Sequence, residues 1–126
     1  MRNDLVYPKF SYEIVGILFS VHNQLGGGLQ EKIYYMALKK VFDQARIKYK
    51  EQFRVDLNYG SSKITHYFLD FLIDDKIVLE IKTGDRFRKE NIEQVYAYLK
   101  STGLQLGILA NFTKSSLKYK RILNLY

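Results

Sequence analysis

The sequence predicts an α/β sandwich in the order ααβββαβ, with helices packed against a mixed central sheet. Three observations predict it. Apolar residues recur at helical spacing over the first third of the chain, and the period then drops to two for a set of strands. A second helical pattern, between about Lys89 and Ser101, separates the third strand from the fourth. Elements in that order bury their apolar faces by packing in layers around one sheet.

Ile14, Leu18, Val21 and Leu25 define a helix from about Ser11 to Leu25, with Ser11 as its N-cap. Gly26-Gly27-Gly28 ends it, because glycine accepts the left-handed conformation that a helix terminus requires. A second helix runs from about Leu29 to Ala45, with Leu29, Ile33, Met36, Ala37 and Val41 on its buried face and Glu31 in its first turn. Phe53, Val55, Leu57 and Tyr59 alternate with Arg54, Asp56 and Asn58, a strand with one wet face, and Gly60-Ser61-Ser62 is a turn. Ile64–Ile73 and Ile77–Lys82 are the second and third strands, joined near Asp74-Asp75. The next helix buries Ile92, Val95, Tyr96 and Leu99 and closes at Thr102-Gly103. Leu106–Phe112 is a fourth, largely buried strand. The tail from Ser115 to Tyr126 reads equally as a short helix or an edge strand.

With 126 residues, 47% of them apolar and 26% charged, the chain has the make-up of one globular domain spanning 1–126. Its net charge of +7 favours a polyanionic partner, since clustered Lys and Arg displace condensed counterions from a phosphate backbone. A basic protein whose charge only maintains solubility is the alternative. The aromatic residues are 11 Tyr and 8 Phe with no Trp, suited to a half-buried core or to stacking on bases. Zero cysteines exclude a disulfide framework and a thiolate metal site, and fit a reducing cytoplasm. Met1 to Tyr12 contains Arg2, Asp4, Pro8 and Lys9, so no signal-peptide apolar region begins there. The longest apolar stretch, Ile14 to Val21, is interrupted by Gly16 and Ser20 and falls far short of the roughly 20 residues of a membrane span. The expectation is a soluble cytoplasmic protein with no membrane partner.

The segment Asp70 to Lys82 breaks the apolar pattern of its own strands. Asp70 sits within Tyr67–Ile73, and Glu80 and Lys82 interrupt the run that begins at Ile77. Burying an unpaired carboxylate costs several kcal/mol or forces it to neutralise. A hairpin with an odd loop centred on Asp75 sets Asp70 directly opposite Glu80, with side chains about 4.5–5.5 Å apart on one face. Lys82, two residues on, shares that face; an even loop would send the two acids to opposite faces. A divalent cation between the carboxylates turns their repulsion into a ligand pair, and such an ion activates water and stabilises charge on a phosphodiester. On spacing alone, a buried Asp–Lys or Glu–Lys ion pair accounts for the pattern as well.

Further along the chain, Gly28-Leu29-Gln30-Glu31-Lys32-Ile33-Tyr34 matches the motif of the GxxExxY proteins, a family within the PD-(D/E)XK nuclease superfamily that the whole sequence resembles. The resemblance runs from Val21-His22 through Ala37-Leu38, Asp70, Glu80-Ile81-Lys82 and Gln94-x-x-x-Tyr98-Leu99-Lys100 to Gly107–Phe112, some four-fifths of the chain. It implies a restriction-endonuclease-like core and a Mg²⁺- or Mn²⁺-dependent nuclease acting on DNA in preference to RNA. In that reading Asp70, Glu80 and the Ile81 carbonyl ligate the metal, Glu31 adds an acid from its helix, and Lys82 acts on the water. Gln94 and Tyr98, one helical turn apart, steady the site or the nucleic-acid strand. The family often has an arginine two positions before the strand aspartate, where this chain has Phe68. A non-catalytic nucleic-acid- or protein-binding module on the same fold is the second reading.

Other residues take supporting roles. His22 suits a hydrogen-bonding position behind the site, and Tyr34 packs or orients. His66, alternating with apolar neighbours, is exposed or weakly structural. Arg86, Arg88 and Lys89, with Lys114, Lys118, Lys120 and Arg121, line a phosphate-binding surface or a solvated basic face. The glycine run lacks the preceding strand of a phosphate-binding loop and reads as a helix break. A chain this small offers little surface for target selection, so a homodimer or a protein partner is expected.

Overall fold

Helices α1 (Pro8–Leu25) and α2 (Glu31–Gln44) cover one face of a five-stranded sheet, and α3 (Lys89–Thr102) covers the other. The strands are β1 (Tyr49–Tyr59), β2 (Ser62–Ile73), β3 (Ile77–Thr83), β4 (Leu106–Phe112) and β5 (Leu117–Leu123), in spatial order β1-β2-β3-β4-β5. All neighbours are antiparallel except β3 and β4, which run parallel and are joined through α3. The structure, a computed structural model, describes residues 6–125; Tyr126 of the tail and residues 1–5 of the N-terminal segment lie outside the described residues. The tail is thus an edge strand, β5, paired with β4 from Leu106↔Leu123 to Phe112↔Leu117.

Helix ends and faces differ in detail from the sequence pattern. α1 starts at Pro8, whose fixed φ suits the first helical position, and Ser11 is not its cap. Ser11 lies a turn inside, buried, with its hydroxyl donating to the Pro8 carbonyl at 3.3 Å. The buried stripe of α2 is Tyr34, Leu38 and Phe42, whereas Leu29, Ile33 and Met36 are exposed and Ala37 and Val41 lie at its rim. The two rings decide the helix's rotation: Tyr34 stacks on Phe112 at 4.2 Å, and Phe42 meets Phe71 edge-on at 5.4 Å. In α3, Val95, Tyr98 and Leu99 are buried and Tyr96 is turned outward, because Tyr98 is the ring that packs against Tyr67 of β2, at 5.0 Å.

Two cores result. Ile14, Leu18, Leu38, Phe71, Leu79, Ile81 and Ile108 fill the α1/α2 side, and Leu69, Leu72, Val78, Val95, Leu99 and Leu109 fill the α3 side. β3 contributes to both by strict alternation, as a strand covered on two faces must. Among the described residues no helix is long and apolar enough to cross a membrane.

β2 pairs with β1 along nearly its whole length but with β3 only from Phe71↔Leu79 to Ile73↔Ile77. From Ser62 to Asp70 it leaves β3, so the outer part of the β1–β2 hairpin forms a two-stranded arm. The glycine run after α1 passes so close to the β4–β5 turn that a Cβ on Gly27 would lie 2.1 Å from the Lys114 carbonyl oxygen. Gly27→Ala is therefore expected to push these segments apart at a cost of about 1–3 kcal/mol, measured as a lower urea midpoint; an unchanged midpoint would mean that the loop yields freely.

Candidate active site

The site begins where β2 and β3 separate. Their turn holds Asp74 and Asp75 both at positive φ, 51° and 56°, and three residues lie between the paired Ile73 and Ile77. The odd loop sets Asp70 across from Glu80, but no ladder pair forms there. The Asp70 N–H donates to Glu80 Oε1 at 2.6 Å, and the Ile81 N–H donates to Asp70 Oδ2 at 2.9 Å. Each carboxylate thus takes a backbone donor that would otherwise have gone to the facing strand, and the strands part around the two acids.

Glu80 is nearly inaccessible, with 4% of its surface exposed. Burial, then the Asp70 charge, pushes its carboxyl up to about 8 from the usual 4.5. Asp70 is also raised, chiefly by burial, against the opposing pull of the Ile81 N–H, Lys82 and Gln52. Glu31, the first residue of α2, is raised by burial and by Asp70, and Lys82 lowers it. The four expected catalytic residues, Glu31, Asp70, Glu80 and Lys82, are therefore within electrostatic reach of one another. Three acids that resist ionisation around one lysine make a site short of positive charge.

Glu31 is held by the start of its helix. The buried Tyr34 hydroxyl donates to the Gly26 carbonyl at 2.7 Å and accepts the Leu29 N–H at 3.2 Å, pinning the loop that leads into α2. His22 Nε2 lies 2.7 Å from the Thr113 carbonyl and ties α1 to the end of β4; it stands behind the loop, apart from the acids' hydrogen bonds. Tyr98 is buried beside Glu80 and Asp70, and burial first, then Glu80, raises its phenol. Gln94, one turn earlier, is half-buried in a shallow groove with Tyr67 and Glu93, which the site acids Glu31, Asp70 and Glu80 do not line.

A cleft of about 730 Å³ opens beside Lys82, lined among others by Gly84, Arg86, Phe87, Arg88 and Asn111. Asn111, paired with Lys82 in the parallel register, donates to the Arg86 carbonyl at 3.0 Å and so shapes the loop. Arg86 and Arg88 stand on this wall, and Lys89 begins α3 beside them. Lys118 donates to the Asp85 carbonyl and Lys120 lies over the Phe87 ring, extending the basic wall onto β5. Arg121 does not join it: its guanidinium turns to the other face and donates to the Val6 carbonyl at 2.5 Å.

The sequence matches the PD-(D/E)XK nuclease superfamily over residues 8–122. The chain belongs to that superfamily. Among solved structures, the crystal structure of SSO0001 aligns over 98% of this chain with a TM-score of 0.59 at 18% identity. An alkaline exonuclease (LHK-Exo) from Laribacter hongkongensis aligns over 97% with a TM-score of 0.53 at 12% identity. The chain spans 60% of the length of SSO0001 and 73% of the exonuclease. No protein of curated function matches the sequence. Family and fold agree on a restriction-endonuclease-like α/β core.

For a PD-(D/E)XK chain, two neighbours of the acids carry no sequence signal. Gln52 lies across from Asp70, between the pairs Glu51↔Phe71 and Phe53↔Leu69, at a φ of 48°, and its side chain pulls the pKa values of both Asp70 and Tyr35 down against their burial. The Tyr35 hydroxyl, pushed up to about 12 by burial, donates to Glu51 Oε1 at 3.0 Å. Among the described residues no three acidic or histidine side chains are gathered closely enough to hold a metal by themselves. Asp70, Glu80 and the Ile81 carbonyl supply oxygen donors only, the set that suits a hard cation. Mg²⁺ in particular is commonly held by one or two carboxylates and keeps several waters.

Proposed function

We propose that this chain is a divalent-metal-dependent nuclease that hydrolyses phosphodiester bonds of nucleic acid, DNA in preference to RNA. The observation that carries the reading is the parting of β2 from β3 around Asp70 and Glu80, with Glu31 and Lys82 in electrostatic reach. Asp70, Glu80 and the Ile81 carbonyl would hold Mg²⁺ or Mn²⁺, with Glu31 as the acid beside them. Such an ion supplies charge stabilisation at the phosphate and a more acidic water. Lys82 would orient the attacking water and exchange a proton with it at its Nζ. Arg86, Arg88 and Lys89 hold the phosphate backbone along the cleft, and Tyr98, with Gln94 a turn away, supports the Glu80 side. His22 and Tyr34 fix the loop that aims Glu31. The motif Gly28 to Tyr34 supports placing the chain with the GxxExxY proteins, and a cysteine-free sequence is in keeping with the cytoplasm.

The test is cleavage of plasmid, single-stranded DNA and RNA with Mg²⁺, with Mn²⁺ and with EDTA. Cleavage only with a divalent ion, faster on DNA, is the expected result. Turnover that persists in EDTA, or none on any substrate, would overturn it. The second reading, a binding module without turnover, draws on the carboxylate oxygens already bonded to the Asp70 and Ile81 N–H groups. It predicts oligonucleotide binding with no cleavage.

A further inference from the structure

The β1–β2 arm has one covered face and one open one. Phe53, Val55, Tyr67 and Leu69 belong to the α3 core. Side chains alternate along a strand, so Phe68, His66, Arg54 and Asp56 point the other way. The α1/α2 layer does not reach them. α2 covers Phe71, through Tyr35 at 4.7 Å and Phe42, and begins at Glu31. Beyond that point Phe68 is 50% exposed, two residues from Asp70, with the His66 ring edge-on to it at 5.4 Å. A large apolar ring left in water beside a cluster of acids is not explained by the core.

The surrounding charges suit a polyanion. Arg54 stands directly across from Phe68, and Asp56 across from His66. Both Arg54 and Lys63 bond to the same Asp56 oxygen, at 3.0 and 3.8 Å, so the acid of this face is matched by two cations. A duplex keeps its bases stacked inside, where a flat ring on a strand cannot reach them. Unpaired bases offer their faces to aromatic side chains, whatever their sequence.

We propose that Phe68, flanked by His66 on the outer face of the arm, is a base-stacking platform that leads single-stranded nucleic acid into the acid cluster. The proposal deepens the nuclease reading and rests on it for the purpose of the platform, but its binding test does not require turnover. Phe68→Trp places the only tryptophan in the chain at this position. Its emission is expected to be quenched by a fluorescein-free oligothymidine of about 15 nucleotides in EDTA, and not by a blunt duplex of the same length. Phe68→Ala is expected to weaken anisotropy-measured binding of that oligonucleotide, labelled, by about tenfold, leaving duplex binding unchanged. With Mg²⁺ present it should raise KM for single strands more than it lowers kcat. Equal affinity of Phe68→Ala and wild type, equal quenching by duplex, or a change in sedimentation with oligonucleotide affinity intact would overturn the platform. Intact cleavage at unchanged KM in Phe68→Ala removes the platform and leaves the nuclease reading standing. Normal single-strand binding and quenching without cleavage removes the nuclease reading and leaves the platform.

Discussion

Lys82→Ala is expected to lower metal-dependent cleavage by about 10²–10⁴-fold, the usual contribution of a positioned acid–base group, in a protein that still folds. Lys82 is half-buried on β3, in register with Asn111 of β4 and at the wall of the basic cleft. It is the cation that lowers the carboxyls of Glu31, Asp70 and Glu80 alike. A lysine so placed can exchange a proton with a water between the acids and the phosphate. An arginine there keeps the charge but stays protonated, so Lys82→Arg should recover substrate binding without recovering the rate. Single-turnover cleavage of a labelled oligonucleotide separates the two, since it reads the chemical step apart from product release. Asp70→Asn is expected to fall as far. Wild-type rates in Lys82→Ala would leave Lys82 as only a counter-ion to the three acids, and the ion-pair reading of this strand would then suffice.

How far the site was legible depends on which constraint fixes each part of it. The opposition of Asp70 and Glu80 turned on the parity of the β2–β3 loop, which the sequence left open: three residues between the paired Ile73 and Ile77 put the two acids across from each other, one step beyond Phe71 and Leu79. β4 was equally plain, because a strand buried on both faces reads as an unbroken apolar run. The rotation of α2 was not, since Ile33 and Met36 fit a helical stripe as well as Tyr34 and Phe42 do, and only the partners Phe112 and Phe71 choose between them. Gln52 was hidden by a bulge. Counting back from the Tyr59↔Ser62 turn puts Glu51 across from Asp70, but the register shifts between Leu57 and Asn58 and brings Gln52 there instead. The tail stayed open until β4 offered an edge, as pairing with a distant strand leaves no local mark on so short a segment. Phe68 stood out in the sequence only as the residue in place of an arginine within an apolar run, and its exposure shows only once α2 is seen to begin at Glu31.

Glu80→Gln is expected to stabilise the metal-free protein at pH 8 while removing cleavage. In the wild type the folded-state carboxyl titrates at about 8, against 4.5 in the open chain, through burial and then the Asp70 charge. Between those values the folded state holds a proton that the unfolded state has released. Stability therefore declines as pH rises, with a slope of at most about 1.4 kcal/mol per pH unit for this group, and the whole contribution is gone above pH 8. Asp70 and Glu31, raised as well, act in the same direction. Glutamine is close in shape to glutamate and can still accept the Asp70 N–H through its Oε1, but it never ionises. At pH 5 variant and wild type should unfold at similar urea concentrations in EDTA. At pH 8 the variant should be the more stable by about 3–5 kcal/mol, visible as a higher urea midpoint. Millimolar Mg²⁺ should narrow the gap by stabilising the wild type alone, because a ligand that binds only the folded protein adds its binding free energy to stability. Parallel pH profiles for the two proteins in EDTA would mean that Glu80 is ionised and compensated without a metal, as one half of an ion pair with Lys82. A gap that opens with pH and closes with Mg²⁺ would mark Glu80 as a group kept for its ligand at the expense of the fold.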